Sequence, residues 1–363
     1  MELDQPPDSV DALLQRMVRF DTVNTHVSGR PHPEAELTAY LEALAAEWFF
    51  NTTRLPVPSD EAGPTHGDNL LVTHQVHKDR PWLLFDSHLD TVGVDGMTID
   101  PFGGEIRDGK LFGRGACDTK GTGAAMLWAL HDYADKPPQP NNIAILFSVG
   151  EEVGMEGIER FAYHDCKSLP FTPVGVVVGE PTFLRPVTAH NGVMRFKVIA
   201  HGVAAHSSVP DKGRSAISAM AKVIPQIEER YCNALTASHP LTGRAVSSIN
   251  LIRGGVQVNI IPDYCEVEID RRLVPGERED DVIAALRAVV DSVEYDDGVR
   301  IQLQVCDQRG SLAPESAAPL LPNVQSVLRD MNLPTDAAGA PFCTHAADLS
   351  RAGLPTIVIG PGN

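Results

Sequence analysis

Three features of the sequence predict an α/β fold made of two domains. Up to about residue 185, short apolar strands alternate with amphipathic helices, which is the pattern of a layered domain built on a mixed sheet. From about residue 186 to 307 the order of elements becomes βαββαβ, which is the order of a ferredoxin-like domain. A chain of 363 residues, 43% of them hydrophobic, is long enough to bury two cores.

The first domain begins with two predicted helices. Ser9 can cap a helix that continues to about Phe20 with its apolar side chains on one face, and a second amphipathic helix is predicted over residues 34–49. The apolar run at residues 82–85 predicts a strand that is covered on both faces of its sheet. The other predicted elements are a helix at 121–133 and strands at 54–57, 69–73, 143–148 and 174–178.

The second domain is predicted as an insertion into the first. Its strands are expected at 193–200, 245–252, 264–271 and 299–305, and its helices at 215–231 and 279–293. The chain then returns to the first domain with a helix at 320–331 and an apolar strand at 356–359. The expected division is therefore 1–185 and 308–363 for the first domain and 186–307 for the second.

Composition and charge exclude several classes of function. The 48 acidic and 30 basic residues give a net charge of -18, which disfavours nucleic acid and anionic membranes as partners. Six scattered cysteines without CxxC spacing indicate reduced thiols in a cytoplasmic protein, not a disulfide framework or a structural zinc site. We expect neither a signal peptide nor a membrane-spanning helix, because the N-terminus is acidic and no apolar run approaches about 18 residues.

The apolar run at 82–85 leads into a polar segment that contains His88 and Asp90. In an extended segment, side chains two positions apart project to the same side, so the carboxylate can orient the imidazole while the other ring nitrogen binds a metal. On its own, such a pair is more often a hydrogen-bonded couple at the end of a strand.

Three further segments carry acids at the end of an apolar strand or in a glycine-rich turn. They contain Asp118 in GRGACDTKG, Glu151 and Glu152 in FSVGEE, and Glu180 in VVVGEP. If these side chains meet at one edge of the sheet, their charges repel one another unless a cation is bound. One histidine with several carboxylates suits Zn²⁺, Mn²⁺ or Co²⁺ in a site with an open position.

Glu151 and Glu152 are neighbours, so in an extended segment their side chains point in opposite directions. One can bind a metal while the other accepts a proton from a water whose pKa the metal lowers, and later delivers that proton to a leaving amine. This division predicts metal-assisted hydrolysis, although a pair of glutamates is usually a solvated loop. Gly113 and Gly115 do not form a dinucleotide-binding GxGxxG motif, because Asp118 occupies the third glycine position.

Together, several spaced motifs resemble the M20 metallopeptidase family, which includes acetylornithine deacetylases, succinyl-diaminopimelate desuccinylases, aminoacylases and glutamate carboxypeptidases. The motifs are SHLDTV, GRGACDTKG, EE, GEPT, the segment around His206, and GLPTIVIGPG. The resemblance implies two divalent metal ions about 3.5 to 4 Å apart, with zinc expected and cobalt or manganese as alternatives. It implies that Asp118 bridges the metals, Glu152 binds one of them, His88 and Glu180 bind the other, Glu151 is the general base and Asp90 orients His88.

The resemblance also implies that the inserted domain is a lid and dimerisation domain. His206 in AAHSSVP resembles the histidine that reaches the partner subunit's active site and stabilises the tetrahedral oxyanion. Asn259 in GGVQVNIIP and Arg271 in DRRLVP resemble substrate-binding positions, and Arg271 is suited to bind a carboxylate through two hydrogen bonds. The alternatives are an ordinary loop histidine for His206 and a surface salt bridge for Arg271.

The motifs AHNG, AAHSSVP and PFCTHAADL are similar to the acetylornithine deacetylase and succinyl-diaminopimelate desuccinylase group, with two departures. Family members usually place an acid where His345 stands, so we expect His345 to support the site or to face the substrate; the alternative is that His345 is a substitute metal ligand. The family also continues past GPG to a histidine that binds the metal shared by Asp118 and Glu152, whereas this sequence ends at Asn363. We expect a longer natural chain; the alternative is a homologue in which one metal is under-coordinated.

These observations predict a metal-dependent hydrolase that cleaves the amide bond of an N-acyl amino acid or a short peptide, in the manner of acetylornithine deacetylase. The protein is expected to be a cytoplasmic homodimer formed through the inserted domain. Two alternatives stay open. One is a dipeptidase or carboxypeptidase of the same family, and the other is a non-catalytic binding protein, because the last metal-binding histidine is absent from the sequence.

Overall fold

The computed structural model describes residues 5–58, 66–295 and 298–362, which form two compact units. Unit 1 comprises Met1–Thr188, Pro314–Ala338 and Thr344–Asn363, and unit 2 comprises Ala189–Ala313 and Gly339–Cys343. The predicted insertion at 186–307 therefore lies almost entirely within unit 2, to which a short later segment also belongs. The outer limits of the predicted domains, residues 1 and 363, lie outside the described residues.

The strands are numbered here in chain order. They are β1 (Asn51–Val57), β2 (Gly67–His74), β3 (Trp82–His88), β4 (Glu105–Arg107), β5 (Lys110–Phe112), β6 (Asn142–Ser148), β7 (Pro173–Val178), β8 (Val187–His190), β9 (Gly192–His201), β10 (Ala205–His206), β11 (Ser238–His239), β12 (Gly243–Arg244), β13 (Val246–Gly254), β14 (Ile260–Ile261), β15 (Tyr264–Leu273), β16 (Arg300–Arg309), β17 (Ala338–Ala340) and β18 (Thr356–Val358).

The α-helices are numbered in the same way. They are α1 (Val10–Val18), α2 (Thr25–Ser28), α3 (Ala35–Glu47), α4 (Lys120–Ala134), α5 (Glu156–Arg160), α6 (Cys166–Ser168), α7 (Ala216–Ile227), α8 (Glu279–Asp291), α9 (Pro314–Ala317), α10 (Leu321–Asp330) and α11 (Ala346–Arg351). Within the described ranges, no helix is both long enough and apolar enough to cross a membrane.

Every predicted helix and strand is present, with its ends shifted by at most four residues. The elements that were not predicted are short, such as the hairpin of β4 and β5 and the helical segments that follow the Glu151–Glu152 loop. Strands of three residues are too short to show the alternation of apolar and polar side chains by which a strand is recognised in a sequence.

Unit 1 is built on a mixed eight-stranded sheet with the order β1-β2-β6-β3-β7-β18-β8-β17. The central strands β6, β3 and β7 are parallel, and β18 is parallel to β7, whereas β1 and β2 are antiparallel. Helices α1, α3 and α4 pack against this sheet in one hydrophobic core. As predicted, Ser9 caps α1, because its hydroxyl oxygen accepts a hydrogen bond from the N–H of Ala12 at 3.2 Å.

Unit 2 contains a four-stranded antiparallel sheet with the order β13-β15-β9-β16. Along the chain, β9, α7, β13, β15, α8 and β16 follow one another, so the predicted ferredoxin-like order βαββαβ is confirmed. Side chains from both helices and all four strands form its core, which includes Phe196, Met220, Val267, Leu286 and Leu303.

Candidate metal centre

Three central strands of unit 1 lead to the residues that are predicted to carry the chemistry. Since β3 is parallel to its neighbours β6 and β7, the carboxyl ends of all three lie at the same edge of the sheet. His88 is the last residue of β3, Glu151 and Glu152 follow β6, and Glu180 follows β7. Asp118 lies two residues before α4. The parallel order of the strands therefore gathers side chains from distant parts of the chain.

His88 is buried at this edge, and both of its ring nitrogens face acids. Nδ1 lies 3.0 Å from the backbone oxygen of Asp90 and 3.4 Å from its carboxylate, and Nε2 lies 3.1 Å from Oδ1 of Asp118. The Asp90 atoms are acceptors, so a neutral ring with a metal on Nε2 would carry its proton on Nδ1. Burial alone would lower the pKa of His88, but the hydrogen bonds with Asp118 and Asp90 raise it well above its ordinary value.

One group of candidate metal ligands stands out among the described residues. His88, Asp118 and Glu152 each offer a ligand atom, and these atoms lie within 4.8 Å of one another. A nitrogen with carboxylate oxygens suits Zn²⁺, Co²⁺ or Mn²⁺. His88 is buried, but the side chain of Asp118 is 54% exposed, so the group is open to solvent on one side, as a catalytic site with a free position requires.

Asp90 holds the loop that carries the two glutamates. Its Oδ1 accepts a hydrogen bond from the N–H of Glu151 at 3.0 Å, and its Oδ2 accepts one from the N–H of Glu152 at 2.9 Å. Burial alone would raise the pKa of Asp90, but His88 and the two N–H groups outweigh burial and lower it. Asp90 is therefore an ionised acceptor that fixes His88 and the glutamate loop relative to each other.

Burial raises the pKa values of the other acids at this edge. It is the largest cause of the increase for Glu152, whose pKa rises to about 7, and for Glu151 and Glu180. Neighbouring acids raise these pKa values further, whereas the charge of His88 lowers them. A divalent cation would supply the positive charge that lets the carboxylates ionise together at neutral pH.

Glu180 is buried and lies outside the group of three ligands. Its charge nevertheless interacts with those of His88 and Asp118. The assignment of His88 and Glu180 to one ion, and of Glu152 to another, stays a prediction.

A second histidine at this edge, His345, was expected from the sequence to support the site or to face the substrate, but its contact with Asp86 was not predicted. His345 Nδ1 lies 2.8 Å from Oδ2 of Asp86, and Oδ1 of Asp86 accepts a hydrogen bond from the hydroxyl of Ser148 at 2.9 Å. The ring centres of His345 and His88 are 6.2 Å apart. The sequence feature that could have indicated this contact is Asp86, an acid at the end of an apolar run and two residues before His88.

Two of the predicted site residues lie close together in unit 2. His206 is exposed in β10, and its Nδ1 lies 2.8 Å from the hydroxyl of Ser208. Asn259 is also exposed, and its backbone oxygen accepts a hydrogen bond from the N–H of Ser207 at 3.0 Å. The segments that carry the two residues are joined by the pairing of β10 with β14. Their predicted roles toward an oxyanion and a substrate stay predictions.

Arg271, the third predicted site residue in unit 2, is buried. Its side chain is 1% exposed, its guanidinium forms an ion pair with Glu277, and it lines a cavity of about 230 Å³ together with Tyr231. The guanidinium is therefore already engaged by an acid of its own unit. Substrate binding by Arg271 stays a prediction.

Another buried acid, Glu34, lies behind the glutamate loop and was not singled out from the sequence. Glu34 precedes α3 and is 4% exposed. Burial, with the charges of Asp90 and Glu156, raises its pKa to about 8, against the lowering effect of hydrogen bonds from its own N–H and that of Gly150. Glu34 lines a cavity of about 140 Å³ whose other ionisable side chains are His32, Arg54 and Asp68.

The order of the motifs and the geometry of the edge agree with one family of hydrolases. The family described as Peptidase family M20/M25/M40 matches residues 84–363, a range that includes every candidate ligand named above. The chain belongs to peptidase family M20/M25/M40. The resemblance on which the predicted roles were based is therefore confirmed at the level of the family.

Similar curated proteins of this family differ in the activity that their names give. An acetylornithine deacetylase of Klebsiella pneumoniae (strain 342) is 32% identical over 335 residues, which cover 88% of this chain and 82% of that protein. A probable carboxypeptidase of Neosartorya fischeri is 32% identical over 253 residues, which cover 68% of this chain and 54% of that protein. The matched region thus spans about half the length of the carboxypeptidase.

Solved structures of M20 peptidases share the fold. A tripeptidase from Staphylococcus aureus superposes with a TM-score of 0.74 at 18% identity, covering 97% of this chain and 89% of that chain. YxeP of Bacillus subtilis, described as a dinuclear metal-binding peptidase from the M20 family, superposes with a TM-score of 0.65 at 16% identity, with coverage of 97% and 89%. At these identities the similarity supports the M20 fold alone.

The raised pKa of Glu34 predicts a pH-dependent stability for the metal-free protein. Because the unfolded carboxyl ionises near pH 4.5 and the folded one near pH 8, the folded state binds the extra proton between these values. As the pH rises from about 4.5 to about 8, Glu34 should therefore lower the free energy of unfolding by about 1.4 kcal/mol per pH unit. Glu34→Gln should remove the contribution of Glu34 to the decrease of stability with rising pH. Urea denaturation at several pH values would measure this change.

The exposed Glu36→Gln is the matched control for this experiment, since it removes the same charge at a position two residues along the chain. It should leave the slope of stability against pH as in the wild type. An unchanged slope in Glu34→Gln would show that Glu34 does not hold its proton in the folded protein.

Proposed function

We propose that this protein is a metal-dependent hydrolase that cleaves the amide bond of an N-acyl amino acid. The observation that carries the proposal is the group of His88, Asp118 and Glu152, whose ligand atoms lie within 4.8 Å of one another, with Glu151 next to Glu152 on the same loop. A bound cation and an adjacent acid are the two parts that metal-assisted hydrolysis needs. Membership of a peptidase family supports the same reaction class.

We propose that two divalent ions act here, with zinc expected and cobalt or manganese as alternatives. His88, Asp118, Glu152 and Glu180 would hold them. The donor set of one imidazole and several carboxylates supports these metals, and the raised pKa values of the acids indicate a need for positive charge. When bound, such ions lower the pKa of a water and polarise a substrate carbonyl.

In the proposed reaction, Glu151 moves the proton. Its carboxylate accepts a proton from the attacking water and then donates it to the amine nitrogen as the C–N bond breaks. Asp90 keeps the backbone of Glu151 in place through the N–H hydrogen bond. His206 is proposed to stabilise the oxyanion from the partner subunit of a dimer, and Asn259 and Arg271 are proposed to contact the substrate.

The substrate class rests on the extent of the similarity. The acetylornithine deacetylase matches over 88% of this chain and 82% of its own length, against 68% and 54% for the probable carboxypeptidase. An N-acyl amino acid is therefore favoured over a peptide with a free amino group. A carboxypeptidase or dipeptidase reaction is the second candidate, because the curated relatives include proteins named probable carboxypeptidases.

We also propose a homodimer that forms through unit 2. The edge strand β13 exposes Leu251 and Ile252, and the adjoining loop exposes Val256 and Val258. An edge strand with apolar side chains is a surface on which a second copy can pair. The cytoplasm is the proposed location, because the six cysteines, all of which lie within the described residues, form no disulfide with one another.

Glu151→Gln tests the proposed base. The amide cannot accept a proton from water, so kcat should fall by roughly 10²–10⁴-fold. Metal content, measured by elemental analysis, should stay near that of the wild type, because Glu151 is not one of the proposed ligands. Glu105→Gln on the exposed β4 is the charge-matched control and should retain full activity.

Retained turnover in Glu151→Gln would show that Glu151 is not the general base. A wild-type protein that binds no metal and stays inactive after metal addition would instead support the non-catalytic binding protein. The two outcomes are distinguished by counting metal in both proteins.

The substrate class is tested with matched compounds that share one side chain. N-acetyl amino acids, free dipeptides and N-acylated dipeptides should be compared at a fixed metal concentration by following the release of free amine. We expect kcat/KM to be highest for the N-acetyl amino acids. A preference of tenfold or more for free dipeptides would replace this proposal with the peptidase alternative.

A lysine placed on the apolar edge tests the proposed dimer. Ile252→Lys puts a cation at an exposed position of β13 and should convert a particle of two chains into one of a single chain in light scattering. Val305→Lys on β16, the opposite edge of the same sheet, is the control and should stay dimeric. A monomeric wild type, or dissociation by the control alone, would contradict the proposal.

A further inference from the structure

The loop that carries Glu151 and Glu152 is held by side chains that bind its backbone. It connects β6 to α5 and includes residues 149–155. The two N–H groups of the glutamates donate to Asp90, as described above. At the start of the loop, the N–H of Val149 donates to Oδ1 of Asn69 at 3.1 Å. Asn69 in β2 thus fixes the start of the loop, and Asp90, two residues after β3, fixes the part that carries the glutamates.

The side chain of Asn69 forms hydrogen bonds at the point where the backbone pairing of β2 with β6 ends. In the pairing of β2 with β6, Leu70 is opposite Phe147, and no pair of residues beyond these two continues the ladder. Asn69 is the preceding residue of β2 and is fully buried. Its side-chain amide accepts from Val149 and donates from Nδ2 to the backbone oxygen of Gly157 at 2.7 Å. One side chain therefore acts as an additional peptide group at the end of the sheet.

These two hydrogen bonds close the loop at both ends. Val149 is the first residue after β6, and Gly157 lies in the first turn of α5, so Asn69 joins the entry and the exit of the segment between them. An asparagine amide has both a donor and an acceptor, which no apolar or ionised acidic residue of similar size offers.

The backbone at Gly157 shows how close the two ends of the loop lie. A Cβ atom at this position would be 2.3 Å from the backbone oxygen of Val149 and 2.7 Å from Oδ1 of Asn69. Both distances are far below van der Waals contact, so only glycine fits here. The tight closure of the loop is therefore supported by an observation that is independent of the hydrogen bonds.

We propose that Asn69 is a positioning residue for the Glu151–Glu152 pair, acting through the backbone at the two ends of their loop. The inference rests on the proposed function, in which Glu152 binds metal and Glu151 transfers a proton. Loss of the two Asn69 hydrogen bonds leaves the N–H of Val149 and the carbonyl of Gly157 without their partner. The loop can then sample other conformations. The carboxylates are then present but less often in the reactive arrangement.

Asn142 offers a matched control for this proposal. It is also a fully buried asparagine, and it braces a loop at the opposite end of β6. Its Oδ1 accepts from the N–H groups of Val76 and His77 at 2.8 and 3.1 Å, and its Nδ2 donates to the backbone oxygens of His77 and Arg80, both at 2.9 Å. Asn142→Ala therefore removes a comparable set of hydrogen bonds away from the glutamates.

The experiment compares Asn69→Ala, Asn69→Asp and Asn142→Ala in the full chain. We expect both Asn69 variants to lower kcat at least tenfold with KM changed less than threefold, and to weaken the binding of Co²⁺. Asn142→Ala should keep kcat within twofold of the wild type, even if its melting temperature falls as much as that of the Asn69 variants. Asn69→Asp serves if Asn69→Ala does not fold, because the carboxylate still accepts from Val149 but cannot donate to Gly157.

Hydrogen exchange of the metal-free proteins gives a readout that needs no activity. Amides at 149–157 should exchange at least tenfold faster in the Asn69 variants than in the wild type, whereas Asn142→Ala should loosen residues 76–81 instead. Wild-type kcat in both Asn69 variants, or equal losses of kcat in Asn69→Ala and Asn142→Ala, would overturn the proposal. A wild type without metal or amidase activity would contradict the proposed function, while the exchange data would still decide whether Asn69 clamps the loop.

Discussion

Crowding of ionisable groups at one edge of the larger sheet is the constraint on which the rest of unit 1 depends. The parallel strands β6, β3 and β7 end there, so side chains far apart in the sequence meet with little water around them. Burial and mutual repulsion raise the pKa values of Glu151, Glu152 and Glu180. The charge of His88, and at Glu151 also that of His345, offsets this increase only in part. Such a cluster keeps its charges through hydrogen bonds from the protein and through a bound cation.

The protein supplies part of this compensation with its own backbone. Asp90 accepts the N–H groups of both glutamates, which lowers its own pKa and fixes the direction of the loop. Asn69 binds the same loop at its two ends. These contacts engage only the main chain of the loop, and they leave the carboxylates of Glu151 and Glu152 for the proposed metal ligand and proton transfer. In the proposed reaction, positioning and reactivity therefore fall to different groups of atoms, and the base would be held in a fixed place beside the attacking water.

The sequence was sufficient to predict the fold and the convergence of His88, Asp118 and Glu152 at one edge of the sheet, because both follow from local patterns. The roles of these residues as ligands stay predictions. Apolar runs located the strands, and acids at their ends pointed to His88, Asp118 and Glu152. The contacts that were missed act between strands or elements that are distant in sequence. Asn69 reaches Val149 only through the register of β2 against β6, and no local pattern specifies that register.

His88, Asp118 and Glu152 are proposed to form one centre that binds divalent metal. Crystals grown with Zn²⁺ or Co²⁺ and measured on both sides of the absorption edge of the metal would locate it directly. We expect one anomalous peak about 2.0 to 2.2 Å from Nε2 of His88 and a second at the same distance from a carboxylate oxygen of Glu152, each also within that distance of an oxygen of Asp118. Ordered metal found only elsewhere, or no peak between these three side chains at saturating metal, would contradict it.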